Sequence, residues 1–156
     1  MKFLVNDSQS NRHNRIRAFL IDETTVIAVL LSAVDLEWTF HRAIYGFRTS
    51  SLQTLQKKHI SSLEGYNKVW TKEVSEIHNL KYIISNWEEL EDAYSIRHKI
   101  IHGVKTTVGL AYALERVEII LAASKAVHDF AKRNGLDIYK KLRPDGISPL
   151  KPIRDW

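Results

Sequence analysis

The six residues Arg97-His98-Lys99-Ile100-Ile101-His102 put one guanidinium and two imidazoles within a single short stretch. Ser95 adds a hydroxyl just upstream. This set suits phosphate chemistry. An RNA strand carries its own nucleophile, the 2′-hydroxyl. Cleaving it takes a group that moves protons near neutral pH and a cation that steadies the phosphorane. Histidine fits the first role and arginine, with its permanent planar charge, the second. No metal or cofactor is required. His98 and His102 also stand at i, i+4, a spacing used to bind metals from one helix face. The H-E-x-x-H arrangement is absent and no third ligand is marked, so a metal-independent mechanism is the expectation.

Helical periodicity places the segment. Trp87, Leu90, Tyr94, Arg97 and Ile101 recur at spacings of three and four, so Arg97 falls in the middle of an otherwise apolar seam. An arginine there must be paired, snorkelling or facing a partner. Ser95, His98 and His102 form an adjacent stripe. Arg97 and His102 differ by roughly 140° in direction and about 7.5 Å in height. One helix does not aim both at one point, and a two-fold dimer would supply the second surface. A plainer reading pairs Arg97 with Glu37 or Glu115 in a structural salt bridge.

The rest of the chain reads as helices. The 156 residues contain no cysteine, three prolines and six glycines, with 44% apolar and 26% charged residues. Disulfides and thiolate sites are excluded, and long helices are favoured over a turn-rich β fold. A helical pattern runs from about Asn11 towards Gly46 through Ile16, Phe19, Leu20, Ile27, Leu30, Leu31, Val34 and Trp38. Ser50 or Ser51 caps a second helix through about Leu63, and a third spans about Asn67 to Ile84. Asn86 caps a fourth, ending at His102 before Gly103. A fifth runs from about Thr107 to Arg133 with Leu110, Leu114, Val117 and Leu121 as its core stripe. The expectation is a single all-α domain, an antiparallel bundle of four to five helices over about 11–135. Residues 136–156 read as an extended basic tail holding all three prolines. His13, His59 and His78 are expected to face solvent.

The formal net charge is +5, compatible with a polyanionic partner. Arg12, Arg15, Arg17 and the basic tail are candidates to track phosphate. The longest apolar stretch, Val26 to Val34, is too short to cross a membrane. The N-terminus reads as a frayed leader rather than a signal peptide. A cytoplasmic setting is the expectation.

Arg97-His98-Lys99-Ile100-Ile101-His102 resembles the R-x4-6-H signature of the HEPN family (higher eukaryote and prokaryote nucleotide-binding domains). The polar residue after the arginine, the following Gly103, and the order of a long first helix, a motif helix and another long helix are similar too. The resemblance implies a metal-independent endoribonuclease acting as a homodimer with a composite site. It implies a role in toxin–antitoxin or anti-phage defence systems, with a cognate antitoxin as a possible partner. By that resemblance Arg97 and His102 are the catalytic pair and His98 the intervening polar residue. Asp35 or Glu37 would fill the place of a first-helix assisting acid. The alternative is a non-catalytic HEPN-like module that binds nucleotide, RNA or protein.

Overall fold

Side-chain caps set most of the helix starts. In the computed structural model, which describes residues 8–140, Ser8, Ser51, Ser62 and Asn79 each accept a hydrogen bond from the backbone N–H three residues on. Each satisfies an otherwise orphaned donor of a first turn. The helices are α1 (Gln9–Arg17), α2 (Thr25–Phe47), α3 (Leu52–Gln56), α4 (Leu63–Glu73), α5 (Leu80–Ile83), α6 (Trp87–Ile101) and α7 (Leu110–Arg133). Among the described residues the fold is all-α, a helical bundle. No helix among them is long and apolar enough to cross a membrane. The expected leader over residues 1–7 and the tail from Lys141 onward lie outside the described residues.

Several boundaries differ from the sequence reading. The long first helix is two helices, separated at 18–24 without glycine or proline. Thr24 Oγ1 donates to the Phe19 carbonyl and Thr25 Oγ1 to the Val108 carbonyl, at 2.8 and 2.6 Å. These hydroxyls hold the chain in a turn that apolar periodicity does not register. Gly46 does not end α2; it lies inside it. A Cβ there would overlap the Leu136 side chain, so the glycine serves close approach. The expected second helix is only the five residues of α3, and Leu63, its expected end, instead begins α4. The expected third helix divides into α4 and α5.

The chain packs as two compact units. Among the described residues, one comprises 8–38 with 86–125; the other comprises 39–85 with 126–140. The first unit buries Ile16, Ala28, Val29, Ile96, Val108, Ala113, Val117 and Leu121 together. The buried face of α2 mixes small and large residues: Ala28, Val29, Ser32, Ala33 and Leu36 are fully buried, while Ile27 and Val34 are exposed. On α7 the buried stripe runs Ala113, Val117, Ile120, Ser124 and Val127. Leu110 and Leu114 stand on its flank, Leu114 being 50% exposed. Of the expected α7 stripe, Val117 and Leu121 are buried, and Ala113 takes the core position in place of Leu110 and Leu114.

The second unit is built on aromatics. Trp70 packs on Phe130 at 5.8 Å, and its indole N–H donates to the His78 carbonyl at 2.8 Å. His78 is buried against Phe130 and Tyr82 rather than solvent-facing. Glu73, at the end of α4, is fully buried. It accepts four hydrogen bonds, from the backbone N–H and hydroxyl of both Thr49 and Ser50, at 2.6 to 3.0 Å. Burial alone would push its carboxyl up. The bonds from Ser50 and Thr49 outweigh that and hold it down at about 2, against an ordinary 4.5.

A depressed carboxyl stabilises the fold above its ordinary titration range, and that stabilisation is lost as pH falls from about 4.5 towards 2. Glu73→Gln is expected to cost on the order of 3 kcal/mol at neutral pH. The difference from wild type should shrink as the buffer is acidified. Urea unfolding of both proteins across that range is the check, and a difference independent of pH would contradict it.

Candidate functional site

Helix α6 carries the motif, and its end is tightly closed. His102 is the C-cap residue and Gly103 follows with φ +69°. The Val104 N–H donates to the Lys99 carbonyl at 2.8 Å, and the Gly103 N–H to the Ile100 carbonyl at 3.1 Å. This is the pair of bonds of a Schellman motif, and the left-handed position requires glycine. His102 is therefore held at a defined helix end.

Arg97 lies on the face turned towards α2. Its Nε lies 2.9 Å from Glu37 Oε1 in an ion pair, and the side chains are 26% and 21% exposed. The Tyr94 hydroxyl donates to the same carboxylate oxygen. The guanidinium carbon lies 5.6 Å from the Tyr94 ring centroid. Glu37 thus engages only the Nε edge of Arg97. Among the described residues the two terminal nitrogens have no further partner. That leaves the forked end of the guanidinium available to an anion such as phosphate.

His98 and His102 are both exposed, with ring centroids 4.1 Å apart. Ser95 donates to the Asp92 carbonyl at 2.7 Å, so its proton is spent on its own helix. The structure thus brings together Glu37, Tyr94 and Arg97 on one side of α6. The two imidazoles stand side by side on another part of its surface.

Asp35 is elsewhere. It is 1% exposed and lies among Arg12, His13 and Ser124. His13 Nε2 is 2.9 Å from Asp35 Oδ2, the Ser124 hydroxyl donates to the same oxygen at 2.7 Å, and Arg12 pairs with Oδ1. Burial pushes the Asp35 carboxyl up, but the bonds from His13 and Ser124 and the Arg12 charge bring it below its ordinary value. Arg12 also stacks 3.9 Å from the Trp38 ring. Of the two acids, Glu37 meets Arg97 and Asp35 does not.

This cluster corrects two expectations. His13 is buried rather than solvent-facing. Arg12 is committed to Asp35, and Arg17 makes two bonds to Glu118 at 2.7 and 3.1 Å, so neither is a free phosphate contact. Glu115 pairs with Arg116 at 3.0 Å, not with Arg97. The sequence reading had no place for the Arg12–His13–Asp35 network or for Tyr94 as a partner of Glu37. An Arg-His pair within a helix otherwise rich in polar residues was the only available signal. His41 and His128 have partners within their own unit: His41 Nε2 is 2.9 Å from the Tyr66 hydroxyl, and His128 lies against Asp129 and Tyr139. No family model matches the chain, and no curated protein or solved structure matches it.

The two acids are expected to differ sharply on removal. Asp35→Ala strands a buried arginine and should cost about 3–5 kcal/mol. Glu37→Ala, in a partly exposed pair, should cost only about 1 kcal/mol. Denaturant midpoints of the two variants decide this, and equal losses would contradict the division of roles.

Proposed function

We propose that the chain is a metal-independent endoribonuclease that works as a homodimer. The observation that carries this reading is Arg97, fixed through Nε by Glu37 with its terminal nitrogens unoccupied, on the helix that ends in His102. In the proposed reaction the 2′-hydroxyl oxygen bonds to the adjacent phosphorus and the bond to the 5′ oxygen breaks. His102 delivers a proton to that leaving oxygen. The proton of the 2′-hydroxyl passes to water or a neighbouring imidazole. Arg97 balances the charge that builds on the phosphoryl oxygens. The products are a 2′,3′-cyclic phosphate and a 5′-hydroxyl.

A second copy is part of the proposal, because Arg97 and His102 diverge by roughly 140° around α6. Arg97 of one copy would act with His102 of the second. Two features support such pairing. Val34, one turn before Glu37, is 47% exposed, and Ile101, one turn after Arg97, is 54% exposed. Exposed apolar residues beside a polar site favour a protein contact. In addition, α6 is acidic at Glu88, Glu89, Glu91 and Asp92 and basic from Arg97 to Lys99. Antiparallel pairing of two such helices matches opposite charges. A cytoplasmic toxin or defence effector, silenced by an antitoxin protein, is the setting this reading suggests.

The Arg97–Glu37 ion pair favours a second reading, a non-catalytic helical module that binds nucleotide, RNA or another protein. It requires no cleavage, and it requires a shift in melting temperature with a nucleotide or RNA ligand.

The expected outcome for the nuclease is cleavage of single-stranded RNA in excess EDTA, leaving cyclic phosphate ends. Arg97→Ala and His102→Ala should each reduce the rate by a factor of about a hundred or more. Circular dichroism and sedimentation should be unchanged. Cleavage by either variant at the wild-type rate would contradict the assignment.

A further inference from the structure

The two imidazoles at the end of α6 are arranged for a second kind of chemistry. His98 and His102 are four residues apart, one turn of helix, with both side chains exposed and ring centroids 4.1 Å apart. At that spacing two rings on one helix face can grip one ion, the arrangement by which paired histidines on a helix bind zinc. Neither ring has a hydrogen bond to a described residue. Both are therefore open to coordination without breaking an existing bond.

Two further features favour a cation here. The pair occupies the C-terminal turn, where the helix dipole presents its negative end. The Schellman closure through Gly103 fixes the backbone of His102, so the second ligand does not sit on a frayed end. The opposing charges are Lys99, on the same turn, and Lys105 beyond it. Arg97 is offset by Glu37 at 2.9 Å.

We propose that His98 and His102 form a two-histidine site for an imidazole-preferring divalent transition ion, Zn²⁺ being the probe of choice. Among the described residues no group of three or more histidine, cysteine, aspartate or glutamate side chains is placed to hold a metal ion. Water, or the same pair on a second copy, completes the shell. The site stands independently of the nuclease reading. Where that reading also holds, a bound ion occupies the proton-carrying ring of His102, and Zn²⁺ inhibits cleavage.

The test is calorimetric titration of the full chain with Zn²⁺ at neutral pH, without RNA. Wild type and His59→Ala, which removes an isolated exposed histidine, should show the same saturable binding. His98→Ala and His102→Ala should each weaken it by at least about tenfold, about 1.4 kcal/mol. Circular dichroism confirms that each variant keeps its helicity, and His98→Asn and His102→Asn repeat the test with polar replacements. Saturable binding that survives in both ring variants, or no saturable binding by wild type, would overturn the site. Zinc binding with no RNA cleavage under any condition would leave the site standing and remove the nuclease. Cleavage without zinc binding would do the reverse.

Discussion

A carboxylate with almost no solvent must be surrounded by donors, and Asp35 imposes that requirement on the first unit. Its two oxygens draw Arg12 and His13 from α1 and Ser124 from α7 onto α2. Three separate helices are thereby tied at one point. Leaving such a charge unpaired costs several kcal/mol, so the position of α1 is set by more than the apolar contact of Ile16. The register of α2 follows from the same point. With Asp35 turned towards α1 and α7, Leu36 is fully buried and Glu37 is rotated by about 200° from Asp35. Glu37 therefore faces α6, where it meets Arg97.

That geometry gives the two acids different physical characters. Asp35 is closed off by Arg12, His13 and Ser124 and acts only through the fold. Glu37 is partly exposed and touches one edge of a guanidinium whose other edge is open. A carboxylate placed this way limits the rotation of the arginine without neutralising its forked end. The Tyr94 hydroxyl on the same oxygen stiffens the arrangement. The cation is thus oriented before any ligand arrives, which lowers the ordering cost of binding an anion.

Much of this was legible in the sequence. Trp87, Leu90 and Tyr94 announced α6, Gly103 marked its end, and the seam position of Arg97 showed that it needed a partner. Glu37 was one of the two partners that chemistry allowed. The rest was hidden for identifiable reasons. The break between α1 and α2 depends on threonine hydroxyls bonding to carbonyls, one of them 83 residues away in sequence. The core face of α2 includes Ala28, Ser32 and Ala33 beside Val29 and Leu36, and periodicity based on large apolar residues overlooks the small members. Gly46 looked like a stop because the residue that needs its missing side chain, Leu136, lies far along the chain. Glu73 carried no local signal at all, since its donors Thr49 and Ser50 belong to another segment.

The central claim is that Arg97 of one copy works with His102 of another. Mixing subunits tests it most directly. Arg97→Ala and His102→Ala chains carrying different affinity tags are co-expressed, and the mixed dimer is isolated through both tags. If the site is composite, the mixed dimer retains one Arg97 and one His102 that face each other across the interface. RNA cleavage should then return, although each variant alone is inactive. A mixed dimer that stays inactive, while dimers of either variant with wild type cleave, would contradict the composite site.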